Sequence, residues 1–63
     1  MNAWDAARDG NWDFLQGLLK KEPIHANVKD EQDVSPLTYA VIGNKPHMVR
    51  LLLENGAKVN VKR

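Results

Sequence analysis

The feature that most restricts this chain is that it repeats itself. Leu18-Leu19 return as Leu52-Leu53, and Ala6 returns as Ala40, each 34 positions further on. Asn27-Val28-Lys29 returns as Asn60-Val61-Lys62 at a spacing of 33, a one-residue slip after the second helix. A period of this size describes stacked supersecondary units, none of which buries its apolar face without a neighbour.

Each copy holds a long amphipathic helix. In the stretch 12–21 Phe14, Leu15, Leu18 and Leu19 stand at helical spacing; in 46–55 Met48, Val49, Leu52 and Leu53 do the same. Spacing of i, i+1, i+4 and i+5 forms one stripe on a helix packed on one side. Pro46 suits a first turn, where its missing N–H has no intrahelical partner. Asn55-Gly56 is a stop, with Gly56 free to turn left-handed; Glu22-Pro23 ends the earlier helix. A shorter helix precedes each long one. Ser35-Pro36-Leu37 opens a helix running to about Ile42, with the Ser35 hydroxyl expected to cap its free N–H groups. Its counterpart spans Trp4 to Arg8 and closes at Asp9-Gly10. Between the copies, Ala26 to Val34 is polar and aperiodic, an extended loop or hairpin. The expected class is all-α.

Composition narrows the function classes. A chain of 63 residues makes one small domain with a thin stability margin. It has no cysteine, which removes disulfides and cysteine-rich zinc sites and fits a reducing compartment. A net charge of +1 supplies no strong field toward nucleic acid or anionic lipid. No apolar stretch approaches the roughly 20 residues that span a bilayer. Asp5 and Asp9 stand where a signal peptide would be basic and then apolar. The expectation is an intracellular protein, cytoplasmic or nuclear, with no membrane partner.

The run Ser35-Pro36-Leu37-Thr38-Tyr39-Ala40 resembles the threonine-proline-leucine-histidine-x-alanine motif of ankyrin repeats. Val49-Arg50-Leu51-Leu52-Leu53-Glu54-Asn55-Gly56-Ala57-Lys58-Val59-Asn60 is similar to that family's leucine-rich second helix and its glycine-alanine-aspartate-valine-asparagine tail. Ala6 to Asn11 resembles the turn between the helices of a repeat. The resemblance runs from about Trp4 to Lys62. It divides the single domain 1–63 into a capping-type unit, about 3–29, and a full repeat, about 30–63, as part of a longer array. Asp33 and Asn44 stand where the family has glycine, so both are expected at positive φ, which Asp and Asn tolerate best.

An ankyrin resemblance implies stacked helix pairs with projecting loops and a partner protein in the groove between loops and first helices. Carried over by position, Lys29, Glu31, Gln32 and Val34 belong to the hairpin tip, and Arg8, Asp9, Ile42 and Gly43 line the groove. Trp4 and Tyr39 lie on or near that face, where aromatic hot spots concentrate, although packing between repeats explains them equally well. Asn27 and Asn60 are read as loop-stabilising; Asn60, in the closer motif match, is also the candidate for the asparaginyl hydroxylation known in the family. The outer face of the second repeat, around Val49, Leu51 and Leu52, is expected to be uncovered, either for further repeats of the same chain or for self-association.

No arrangement of catalytic groups stands out. His25 and His47 sit at non-equivalent positions without a partner at ligand spacing, and Ser35 reads as a cap rather than a nucleophile. The expectation is a scaffold with no catalytic, cofactor or metal site. Two competing readings are a purely structural N-terminal cap and a helical nucleic-acid-binding domain. The second is disfavoured because the helix 46–55 carries only Arg50 as a strong cation, with Glu54 four residues on.

Overall fold

The computed structural model describes residues 1–58. These form four α-helices, α1 (Ala3–Asp9), α2 (Trp12–Lys21), α3 (Pro36–Ile42) and α4 (Pro46–Glu54), with a 3-10 turn at Pro23–Ala26 and no strand among the described residues. Two helix pairs, α1–α2 and α3–α4, stack side by side through their short helices, and α1 on α3 is the most extensive helix contact. Alanine permits that approach: Ala3, Ala6 and Ala7 of α1 and Ala40 of α3 are all buried. Closest of all is Gly43, where an added Cβ would run into the carbonyl oxygen of Arg8.

The helix ends follow local chemistry. Asn2 caps α1 by accepting from the Asp5 N–H at 2.8 Å, and Asn11 caps α2 from the Phe14 N–H at 3.3 Å. Gly10 (φ 81°) and Gly56 (φ 92°) close their helices left-handed. Asp33 (φ 65°) and Asn44 (φ 58°) adopt the positive φ expected of them. Ser35 departs from expectation. It sits at the N-cap of α3, but its hydroxyl faces the Thr38 hydroxyl at 3.4 Å and caps no backbone N–H.

The long-helix stripes are rotated from the simple reading. Leu15 and Leu19 of α2 and Met48, Leu51 and Leu52 of α4 form the core with the alanines and Leu37. Phe14 and Leu53, assigned to those stripes, are exposed instead. The expected uncovered face around Leu51 and Leu52 is therefore corrected: these residues are only 4% and 0% exposed and belong to the one core cluster. The uncovered apolar residues of the second unit are Val41, at 64%, and Leu53, at 41%, flanked by half-buried Val49. Asn27 ties the units together by donating to the Gly56 carbonyl at 3.0 Å and accepting from the Lys58 N–H at 2.8 Å. Its counterpart Asn60 lies outside the described residues.

Candidate protein-interaction surface

Asp30 organises the loop between the helix pairs. Its carboxylate accepts from the Gln32 and Val34 N–H groups, both at 2.9 Å, and from the Tyr39 hydroxyl of α3. The loop closes on itself through the Asp30 N–H to Val34 carbonyl bond at 3.0 Å and the Asp33 N–H to Asp30 carbonyl bond at 2.9 Å. This Asx-type turn fixes the loop without a sheet. Donation by Tyr39, then by Val34, holds the Asp30 carboxyl below the usual carboxylate range. The same bond to Asp30 raises the Tyr39 phenol.

That anchoring sorts the candidates. Lys29, Glu31 and Gln32 are exposed around the tip and, with Trp4 and Asp30, line one open hollow. Trp4 is half-buried and its indole N–H donates to the Val28 carbonyl at 3.1 Å, so it both packs and borders the hollow. Val34 is half-buried beneath the tip rather than on it, its N–H spent on Asp30. Tyr39 is half-buried and serves as the loop's anchor. Gly43 faces the Arg8 backbone, so it is a packing position and not a groove contact.

The short helices supply the rest of the surface. Arg8 and Asp9 are exposed, and Arg8 also pairs with Asp5 at 3.3 Å. Ile42, equivalent to Arg8 one unit on, is 67% exposed, a large aliphatic side chain in water. Lys29, Glu31, Gln32, Arg8, Asp9 and Ile42 thus survive as available contacts. Asp30 escaped the sequence reading, although an Asp opening a short polar loop is a turn signal in its own right. Trp12 is half-buried and stacks on His47 of the second unit with ring centroids 6.1 Å apart. His25 lies 2.8 Å from the Glu22 carboxylate.

The family model described as ankyrin repeats (3 copies) matches residues 3–63. This chain belongs to the ankyrin repeat family. It is 41% identical over 56 residues to the palmitoyltransferase akr1 of Aspergillus oryzae, covering 89% of this chain and 8% of that protein. The transient receptor potential cation channel subfamily A member 1 homolog of Caenorhabditis elegans is 39% identical over 57 residues, 90% of this chain and 5% of its own length. Alpha-latrocrustotoxin-Lt1a of Latrodectus tredecimguttatus is 30% identical over 57 residues, 90% of this chain and 4% of the toxin. The ankyrin chain therefore spans less than a tenth of these relatives. No solved structure matches it significantly. Ankyrin repeats are in general protein-interaction modules, and the relatives' names share no single activity. No described helix is long and apolar enough to cross a membrane.

Proposed function

We propose that this ankyrin unit is a non-catalytic scaffold holding a partner protein across its hairpin loop and the exposed sides of α1 and α3. The observation that carries the reading is Ile42, a solvated aliphatic residue beside an anchored loop whose tip carries Lys29, Glu31 and Gln32. An apolar centre with a charged and amide rim is the composition of a protein-binding patch. Its intracellular placement, cytoplasmic or nuclear, belongs to the same proposal. The acyl-transfer and channel names of the relatives describe proteins at least ten times longer, and no such chemistry is assigned to this chain.

The test is affinity capture with the intact protein, followed by quantitative binding of the captured partner. Ile42→Asp is expected to cut that binding about tenfold or more while leaving the helical circular-dichroism signal unchanged. Full binding by Ile42→Asp would reject this surface. Titration with duplex DNA and RNA over a salt series addresses the nucleic-acid alternative. No salt-dependent affinity is expected, since the Arg50 guanidinium of α4 is paired with Glu54 at 3.8 Å.

A second reading, the structural cap, rests on Val41, Val49 and Leu53. The first unit buries its residues at these positions, Ala7, Leu15 and Leu19, so the face suits a further repeat. Fusing an idealised third repeat after Arg63 is expected to raise Tm. An unchanged Tm would count against that role for the face. In the unfused chain, sedimentation over a concentration series reports any self-association through it.

A further inference from the structure

Asn55-Gly56 does more than end α4. It is the one place in the chain where glycine follows asparagine; the other asparagines precede Ala3, Trp12, Val28, Lys45 and Val61. A glycine has no Cβ to crowd its own nitrogen, so this dipeptide is where the main chain most easily attacks a side-chain amide. The Gly56 nitrogen adds its electron pair to Asn55 Cγ, and the side-chain nitrogen leaves as ammonia, which closes a cyclic imide. Water then opens the ring. Hydrolysis at the side-chain carbonyl leaves aspartate; hydrolysis at the main-chain carbonyl leaves isoaspartate, whose backbone runs through Cβ.

The folded turn holds the reacting groups apart. Ring closure needs Cβ and the next nitrogen nearly eclipsed about the Cα–C bond, and the Asn55 ψ of 18° keeps them far from it. The Asn55 side-chain amide donates to the Leu51 carbonyl at 2.8 Å, and the Gly56 N–H donates to the Leu53 carbonyl at 3.2 Å. These restraints all belong to the last turn of α4, so one local opening lifts them together. Sterically the site is free. Gly56 is exposed, and no atom beyond its chain neighbours lies within 4 Å of the place a Cβ would take.

The consequence reaches the other unit. Asn27 clasps the segment just after Asn55, through the Gly56 carbonyl at 3.0 Å and the Lys58 N–H at 2.8 Å. An isoaspartate at position 55 inserts a main-chain carbon directly before that clasp. Either product also loses the donor to Leu51 and sets a carboxylate at the C-terminal end of α4, where the helix dipole opposes it. We infer that Asn55 is a latent deamidation site, closed while the last turn of α4 holds, whose conversion releases the Asn27 clasp between the units.

The test incubates the full chain at one mildly alkaline pH, with and without urea, and follows each asparagine by mass spectrometry of proteolytic fragments. Conversion of an amide to an acid raises the mass, which separates it from isomerisation at Asp9-Gly10, where the mass is unchanged. In urea, Asn55 is expected to react before any other asparagine. In buffer its rate is expected to fall about tenfold or more, by the fraction of time the turn is closed. Asn27→Ala, with its helical signal checked by circular dichroism, is expected to speed the reaction in buffer about fivefold. In the purified isoaspartate product, amide exchange at Lys58 is expected to be faster than in the parent chain, a readout that needs no variant. Equal rates with and without urea, or earlier reaction of another asparagine in urea, would overturn the assignment of the site. Unchanged exchange at Lys58 in the product would overturn the release of the clasp.

Discussion

Ala7, Leu15 and Leu19 of the first unit and Val41, Val49 and Leu53 of the second occupy the same places in the repeat, 34 positions apart. The first three are buried; the other three are exposed or half-buried. Helix type, turn and side-chain class are shared, so the difference comes from the presence or absence of a neighbour. Burial in a stacked-repeat fold is a property of the interface rather than of the unit. The same residue type is a core residue in one copy and an available surface in the next.

Matched substitutions probe that difference most sharply. Leu19→Ala is expected to cost about 3 kcal/mol, since it opens a cavity at a fully buried site. Leu53→Ala, at the equivalent place, is expected to stay within about 0.5 kcal/mol. Urea denaturation followed by circular dichroism measures both. Similar losses would mean that the face around Leu53 is covered.

Two glycines extend the comparison. Gly43→Ala is expected to destabilise by about 1–3 kcal/mol, because α1 and α3 must part to admit the Cβ. Gly17→Ala, inside α2 with nothing within 4 Å of the new carbon, is expected to stabilise by up to about 1 kcal/mol. Thermal melts give the sign of each. A neutral Gly43→Ala would contradict the close approach of the short helices.

The loop offers a pH-dependent contrast with the helices. Asp30 has a lowered folded pKa, so its contribution is full above the unfolded value near 4 and is lost as pH falls through the folded one. Tyr39 is raised, so its contribution is present below the unfolded value near 10 and is lost as pH climbs through the folded one. Tyr39→Phe is expected to speed amide exchange at Gln32 and Val34 at neutral pH, with little change within α2. Unaltered exchange at those two amides would show that Tyr39 does not anchor the loop. The smallest effect is expected from Ser35→Ala. With no capping bond to lose, it should cost under about 0.5 kcal/mol, against about 1 for a working cap. A loss near 1 kcal/mol would restore the cap that the sequence predicts.

Much of this fold is legible in the sequence because it rests on local signals. Pro36, Pro46, Gly10 and Gly56 mark helix ends, and Asp33 and Asn44 take the backbone conformation that their place in the repeat demands. What could not be read is which side of a helix meets a neighbour. An apolar stripe of i, i+1, i+4 and i+5 fits two rotations of the helix, and only stacking selected Leu51 and Leu52 over Leu53. The site was legible in proportion to its independence from tertiary contacts. Lys29, Glu31 and Gln32 follow from loop position, whereas the anchoring of Val34 and Tyr39 depends on Asp30 across the turn. Gly43 looked like a groove residue until α1 was set against it.

Binding of a partner protein across the loop and short helices is the proposed role of this surface. Amide chemical-shift mapping on isotopically labelled chain, titrated with the captured partner, tests it most directly. Perturbations are expected to concentrate at Arg8, Asp9, Lys29, Glu31, Gln32 and Ile42. Perturbations confined to Val49 and Leu53, with the loop silent, would contradict it.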